Sequence, residues 1–331
     1  MPSRLFTSLT TLCGDNRSLP ADHTGLGYTA RLLQMGVSVS NVLRAWIEFA
    51  HGRVSWVRSV NQRRAGSALA LILMTSASGI SWAAGQNSCA QPVYLTFTTG
   101  NMEQAPLVAD VLRRHDARAT FFVTNEPTQP GITSMSNHWA PWWKALAAQG
   151  HEFASLTYEQ VYWRSDLRGI APLFRVRLTT GAFAGREFTW TPEQYCAQVS
   201  YVNERLQDFT GKPALSLFHA PGGKTSAKLL KAAQACGFAH VGWTSAGVLG
   251  DDLPNAKDLK AAQEKALHNI RPGDILTAHM GSRSGPTPWA FTVLEPLITG
   301  LQERGFCFAT LRDHPAYRDW ITSHPDGFIK H

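Results

Sequence analysis

The sequence has few charged residues, 17% of 331, and it has no lysine in its first 83 residues. Those 83 residues hold eight arginines against three acidic residues, whereas residues 84–331 hold 23 lysines and arginines against 21 acidic residues. The net charge of +7 therefore comes mainly from the N-terminal region. Because the remaining chain is nearly balanced and has no lysine and arginine stripe, we expect no nucleic acid partner.

Cysteine is scarce, and repeats and low-complexity tracts are absent. None of the spacings between the five cysteines resembles a zinc knuckle. Four cysteines, Cys89, Cys196, Cys236 and Cys307, follow the N-terminal region. An even number in an exported chain permits two disulfides in any of three pairings, and buried free thiols are the alternative.

Long apolar runs are also lacking. The strongest run, Ala68–Met74, follows an arginine pair, and Ser81 and Ala83 fit the −3 and −1 positions of a signal-peptidase site. We therefore predict a signal peptide over residues 60–83 and an exported protein, periplasmic or secreted, with no stable membrane span after cleavage. A transmembrane anchor is the alternative.

A signal that begins near residue 60 is unusual, because signals stand at the N-terminus. We hypothesise that the native protein starts near Val60. Residues 1–59 would then be an uncertain extension without a clear domain pattern, and the mature domain would span residues 84–331.

From residue 93 onward, short apolar runs alternate with amphipathic segments. This order predicts an α/β domain with a parallel sheet and helices outside it, either open or closed into a barrel. The helix that follows Thr191 should begin at Pro192 and end at Gly211. Predicted strands are Val93–Thr98, Ala119–Thr124, Glu152–Leu156, Leu215–His219, Ala239–Thr244, Ile275–His279 and Phe306–Leu311.

One long connection interrupts this alternation. Residues 159–190 are rich in aromatic residues and arginine and lie between a predicted strand and a predicted helix. A connection of this length is either functional or a packed surface excursion.

The segments LTFTTGN, ARATFFV, LAAQGHEFASLTYEQ, LFHAPGG, AHVGWTSAG, RPGDILTAHMG and LQERGFCFATL occur in this order along residues 93–311. Their order resembles the polysaccharide deacetylases, the NodB-like carbohydrate esterases. The resemblance implies a distorted (β/α)7 barrel. It also implies hydrolysis of an acetamide on a glycan, with a divalent metal such as zinc, a carboxylate base and a histidine acid.

The positions that carry this chemistry in the family are substituted here. Thr98 occupies the position of the catalytic base and Thr99 that of the carboxylate ligand, while Leu156 and Gln160 occupy the positions of the two histidine ligands. Because leucine has no donor atom and a neutral hydroxyl is a poor zinc ligand, we predict no metal and a dismantled site. His219 replaces the arginine that braces the base in the family, and loss of both charges together avoids an unpaired cation.

Other candidate residues remain. His279 retains the position of the family's catalytic acid, and Trp243 belongs to a strand whose end lines the substrate groove in relatives. His219, Trp243, Tyr158 and Asp252, which follows Asp251, are the predicted substrate-binding residues. Trp139, Trp142, Trp143, Tyr158 and Trp163 are candidates for stacking on sugar rings, although about half of them should belong to the core.

The sequence offers two alternative catalytic sites. His138, His219 and His279 would suit zinc if the fold brought them together. A serine mechanism would need Ser155 or Ser245 beside His279, but no nucleophile-elbow motif is present.

Three functions are compatible with these residues. The first is an exported, catalytically impaired deacetylase homologue that binds a glycan or an envelope protein partner. The second is an active hydrolase of amide bonds in a glycan that uses His279 and His219. The third is a structural barrel in polysaccharide assembly, which predicts a large exposed apolar patch and a closed groove.

Overall fold

The computed structural model describes residues 89–169, 171–249, 256–281 and 290–325. The predicted extension over residues 1–59, the signal peptide over residues 60–83 and the candidate residue Asp252 lie outside these ranges. No helix within them combines the length and apolar character that a bilayer span requires.

The described residues form twelve strands and seven α-helices. The strands are β1 Pro92–Thr98, β2 Ala119–Val123, β3 Pro127–Gln129, β4 Ile132–Thr133, β5 Glu152–Ser155, β6 Tyr162–Asp166, β7 Phe174–Arg177, β8 Glu187–Trp190, β9 Leu217–Phe218, β10 Ala239–His240, β11 Ile275–His279 and β12 Cys307–Phe308. The helices are α1 Ala105–Arg114, α2 Ala140–Ala148, α3 Pro192–Thr210, α4 Ala227–Ala235, α5 Ala256–Asn269, α6 Glu295–Glu303 and α7 Arg318–Ser323.

Seven parallel strands form a curled central sheet in the order β10-β9-β5-β2-β1-β11, and β12 pairs with the start of β1. An irregular segment connects the two ends of this order. The Thr244 amide donates to the Ile275 carbonyl at 3.1 Å, and the Leu249 amide donates to the Thr277 carbonyl at 3.2 Å. The predicted distorted (β/α)7 barrel is therefore confirmed, with closure by scattered hydrogen bonds rather than by a full strand ladder.

The two faces of the sheet have separate cores. On β1, Val93, Leu95 and Phe97 pack in the cluster that the outer helices cover, whereas Tyr94 belongs to a second cluster inside the curl. Because side chains alternate along a strand, Thr98 points to the same inner face as Tyr94.

Strand positions match the sequence prediction better than strand lengths do. β1 and β11 include the predicted runs, whereas β9, β10 and β12 have only two residues each. The flanking backbone still pairs, since the His219 amide donates to the Ser155 carbonyl at 2.8 Å and the Val241 amide donates to the Phe218 carbonyl at 2.9 Å.

Local signals define α3. The Thr191 side chain accepts a hydrogen bond from the Gln194 amide, and the Gln194 side chain accepts one from the Thr191 amide. Pro192 begins the helix, and Gly211 ends it at a φ of 72°, a conformation that glycine adopts without a Cβ penalty. The predicted helix ends are confirmed.

The long connection over residues 159–190 is a three-stranded antiparallel sheet, β6-β7-β8. Phe174 and Val176 of β7 are fully buried against Tyr195 and Val199 of α3. The segment is thus a packed sheet on the side of the barrel, and one of its faces remains exposed.

Two disulfides select one of the three possible pairings. Cys89 bonds to Cys307 and attaches the start of the described domain to β12. Cys196 bonds to Cys236 and links α3 to the residue after α4.

Candidate functional site

A pocket of about 230 Å³ lies at the carboxyl ends of β1, β9 and β11. This end of a parallel barrel is where functional side chains converge in folds of this type. Six of its lining residues are candidates from the sequence, namely Thr98, Leu156, Gln160, His219, Trp243 and His279. The other five are Tyr162, Pro221, Gly222, Val248 and Thr277.

Thr98 and His279 are neighbours across the pocket floor, because they pair in the register of β1 and β11. The Thr98 side chain is 5% exposed, and its hydroxyl has no hydrogen-bond partner among the described residues. A buried hydroxyl without a partner costs free energy, so this atom is suited to bond a ligand group that enters the pocket. His279 is exposed at the same edge.

Thr99 points elsewhere. Its hydroxyl accepts a hydrogen bond from the Thr124 amide at 3.0 Å and donates to the Thr124 carbonyl at 3.4 Å. Thr99 is fully buried and does not line the pocket. Its side chain therefore ties the end of β1 to the end of β2.

Leu156 and Gln160, the residues predicted at the positions of the two histidine ligands, also have structural roles. Leu156 is buried in the inner core. Gln160 has a φ of 49°, and its Oε1 accepts a hydrogen bond from the Thr179 hydroxyl at 2.5 Å. Thr179 thus holds the Gln160 amide in place at the pocket wall.

The family's metal does not fit these residues. Thr99 directs its oxygen to backbone groups, Leu156 has no donor atom, and the Gln160 oxygen is already bonded to Thr179. Within the described ranges, no group of three or more histidine, cysteine or acidic residues could hold a metal ion. The alternative zinc site is not supported either, because His138 is exposed on the short helix Asn137–Trp139 and does not line the pocket.

His219 is a neutral, fixed side chain. Its Nδ1 lies 2.8 Å from the Val241 carbonyl, which can only accept, so Nδ1 carries the hydrogen. The ring packs at 4.7 Å from the Trp243 ring and 5.3 Å from the Phe122 ring. Burial, with the nearby His240 and His279, lowers the pKa of His219 to about 3. This histidine is therefore unsuited to donate a proton near neutral pH.

Aromatic rings form one wall of the pocket because two glycines admit them. Gly222 and Gly223 have φ values of 64° and 66°. A Cβ on Gly222 would lie 2.8 Å from the Tyr162 ring, and one on Gly223 would lie 2.8 Å from Cη2 of Trp243. Tyr162 is not among the residues predicted from the sequence, although the glycine pair in LFHAPGG is typical of a turn that a neighbouring side chain approaches closely.

Several sequence candidates are not part of the pocket. The Tyr158 ring packs 4.5 Å from the Tyr201 ring, and Tyr158 does not line the pocket. Neither Ser155 nor Ser245 does so, and the buried Ser155 hydroxyl accepts a hydrogen bond from the Thr157 amide. A serine site beside His279 is therefore not supported.

The proposed stacking tryptophans are mainly structural. Trp143 is fully buried, and its indole N–H donates to the Ser134 carbonyl at 2.9 Å. Trp139 and Trp142 are half-buried against the outer core, and Trp163 is half-buried against the β6-β7-β8 sheet core. Among the tryptophans that the structure describes, only Trp243 lines the pocket.

Comparison with known proteins agrees with this architecture. Residues 85–241 match the family model described as polysaccharide deacetylase. The chain contains a polysaccharide deacetylase domain. Trp243 and His279 lie beyond the matched range, so their placement depends on the pocket itself.

Two characterised relatives share the domain. The chain is 26% identical over 230 residues to the peptidoglycan-N-acetylmuramic acid deacetylase PdaA of Bacillus subtilis, covering 69% of this chain and 72% of the relative. It is 24% identical over 231 residues to a chitooligosaccharide deacetylase of Azorhizobium caulinodans, covering 66% and 92%. A solved CE4 family pseudoenzyme of Bacillus anthracis has the same fold, with 18% identity, a TM-score of 0.50, and 68% and 65% coverage.

Proposed function

We propose that this polysaccharide deacetylase domain belongs to an exported protein that binds an envelope or extracellular glycan and has lost metal-dependent deacetylation. One observation carries the proposal: the three ligand positions have structural roles. Thr99 bonds to Thr124, Leu156 packs in the core, and Gln160 bonds to Thr179. Loss of the ligands removes the Lewis acid on which the family's reaction depends.

The base position supports the same conclusion. Thr98 presents a neutral hydroxyl, which does not accept a proton from water at ordinary pH. His219, the other basic group beside it, is buried with its Nδ1 bonded to Val241. The pocket residues can bind and orient a neutral polar group, but they do not form an acid and base pair.

The chemistry of the pocket favours a sugar. Among the described residues its lining includes no lysine, arginine, aspartate or glutamate, but it has the hydroxyls of Thr98 and Thr277 and the ring of Trp243. Hydroxyls and an aromatic face are the groups that recognise a neutral sugar ring. The peptidoglycan and chitooligosaccharide deacetylases among the relatives support a glycan ligand. The two disulfides support export.

The alternatives have less support. A hydrolase that uses His279 with His219 requires a proton donor or acceptor that is free to exchange, whereas His219 is held among apolar rings. A purely structural barrel predicts a broad apolar surface. Large exposed hydrophobic side chains in the described part of the chain are Phe183 between β7 and β8, Tyr201 on α3 and Val248 between β10 and α5, so they belong to three separate segments.

The test measures metal, activity and binding together on the full chain. Elemental analysis should find no stoichiometric metal, and N-acetylglucosamine oligomers should release no acetate. Calorimetry with the same oligomers should show binding that Trp243→Ala weakens about tenfold, because the ring supplies most of the stacking surface. Tyr201→Ala removes an exposed aromatic ring outside the pocket and should leave the affinity unchanged.

Stoichiometric metal with acetate release that His279→Ala abolishes would show an active site of a new kind. Equal affinities for the wild type and Trp243→Ala would exclude the pocket as the glycan site.

A further inference from the structure

The antiparallel sheet β6-β7-β8 has two chemically different faces. Phe174 and Val176 of β7 point into the core, so Arg175 and Arg177 point outward, and both are exposed. The register places Ser165 and Thr189 beside Arg175, and Tyr162 and Glu187 beside Arg177. We call these outward positions, together with Arg164, the arginine face.

Arg164 belongs to this face because of the ion pair that it makes. Its Nε lies 3.6 Å from Glu187 Oε1. Since β7 lies between β6 and β8, the two side chains can meet only across the outer surface of β7. The arginine face therefore carries three arginines and one glutamate.

The excess charge of the mature domain is concentrated in this segment. Residues 159–190 hold five arginines, no lysine and three acidic residues, and the rest of residues 84–331 is balanced with 18 of each sign. Two of the three acids serve the interior side of the segment. Asp166 accepts hydrogen bonds from Trp163 and Ser226, and Glu159 accepts one from Gln198.

Arg175 and Arg177 have no ion-pair or hydrogen-bond partner among the described residues. Alternate residues of a strand are about 7 Å apart, so the two guanidinium groups form a spaced pair on one surface. A guanidinium binds a carboxylate through two parallel hydrogen bonds, which an ammonium group cannot do. The segment's exclusive use of arginine thus favours a ligand with planar anionic groups.

The arginine face continues into the pocket. Tyr162 pairs with Arg177 in the strand register, and Tyr162 also lines the pocket. The described residues that line the pocket include no lysine or arginine. One extended ligand could therefore place a neutral sugar in the pocket and anionic groups on the arginines.

We propose that the arginine face binds the carboxylates of an acidic glycan, one that contains uronic acid residues. This inference rests on the proposed function in that the same glycan occupies the pocket. A nucleic acid strand is disfavoured, because the register places only one aromatic residue, Tyr162, on this face, whereas single strands are bound by successive stacking rings.

The experiment compares oligogalacturonate with its methyl ester, which has the same backbone but no free carboxylates. The full chain should bind the acid form about tenfold more tightly at low salt, and this preference should disappear as salt is raised. The double variant Arg175→Gln with Arg177→Gln should bind both forms equally. The control, Lys144→Gln with Lys257→Gln, removes two exposed charges elsewhere and should retain the preference.

Three results would overturn the inference: equal affinity of the wild type for both forms, an unchanged preference in the arginine variant, or equally tight binding of a thymidine oligomer of the same charge. Trp243→Ala separates this inference from the proposed function. If Trp243→Ala weakens the binding of both ligands while the arginine variant changes neither affinity, the pocket is supported as the glycan site and the role of the arginine face is refuted. If only the arginine variant weakens binding of the acid form, the role of the arginine face is supported and the pocket is refuted as the glycan site.

Discussion

Three histidines, of which His151 and His219 are buried and His240 is half-buried, should make this domain sensitive to mild acid. Burial lowers the pKa of His219 to about 3 and that of His240 to about 4. Burial and the charge of Arg118 lower the pKa of His151 to about 4. The His151 Nδ1 accepts a hydrogen bond from the Ala119 amide, so protonation there would remove an acceptor that this amide uses.

The direction of the effect follows from proton uptake. An unfolded histidine has a pKa of about 6.5, so below that pH the unfolded chain binds protons that the folded chain does not. The free energy of unfolding is therefore not reduced by these histidines above pH 6.5. It decreases as the pH falls from 6.5 toward their folded-state pKa values of about 4 and 3.

The loss of unfolding free energy can be calculated for a chosen pH. At pH 5.0, each histidine that stays neutral in the folded state costs about 2 kcal/mol relative to pH 7.5. Three such residues together cost about 6 kcal/mol, a large share of the 5–15 kcal/mol that is typical for a domain. The comparison stops at pH 5.0, because carboxylates such as Asp110, whose pKa is lowered by Arg113 and Arg114, affect stability at lower pH.

Urea unfolding at pH 7.5 and pH 5.0 measures this difference. The variant His219→Asn can keep a donor to the Val241 carbonyl but removes the titration. We expect it to lower stability at pH 7.5 through lost packing, yet to reduce the loss between the two pH values by about 2 kcal/mol. His138→Asn, at an exposed position, should leave the loss unchanged. A difference below about 2 kcal/mol in the wild type, or the same difference in His219→Asn, would refute the neutral buried state of these histidines.

The remaining predictions concern the pocket wall and the disulfides. Gly223→Ala should displace the Trp243 ring and weaken glycan binding at least fivefold, because the added Cβ would lie 2.8 Å from Cη2 of that ring. The control is Gly211→Ala, at a similar φ of 72° but with open space around it. This control should lower stability by about 1 kcal/mol without affecting affinity. Calorimetry and urea unfolding separate these effects, and equal affinities in the two variants would contradict this account of the wall. Replacing both Cys196 and Cys236 with alanine should lower the free energy of unfolding by about 4 kcal/mol, because the bond closes a 40-residue separation. Reductant should then change the unfolding midpoint of this variant less than that of the wild type, and an equal change would argue that Cys89–Cys307 alone stabilises the domain.

The parts of the molecule that depend on local chemistry could be predicted. Thr191, Pro192 and Gly211 mark the ends of α3 because capping and chain reversal involve only nearby residues. The apolar runs of β1 and β11 predict buried strands for the same reason. That Leu156 is unable to ligate a metal is also readable from the sequence, since no packing gives leucine a donor atom.

The antiparallel sheet β6-β7-β8 shows an intermediate case. The alternation Phe174-Arg175-Val176-Arg177 is typical of a half-buried strand, but four residues within a long connection are too few to predict a sheet. Its pairing partners lie within the same segment, so the sheet forms from contacts of moderate sequence separation.

By itself the sequence determined the alternation of strands and helices, because this depends on residue types and local periodicity. The barrel, which periodicity left open, was predicted only through the resemblance of the ordered segments to a known family. Only the tertiary structure decided that Thr98 faces the pocket while Thr99 bonds to Thr124, and that His219 is buried while His279 is exposed. It also selected the disulfide pairing and turned Tyr158 toward Tyr201. The physical reason is common to all of these: each depends on which distant residue occupies the neighbouring space, and adjacent letters in a sequence do not contain that information.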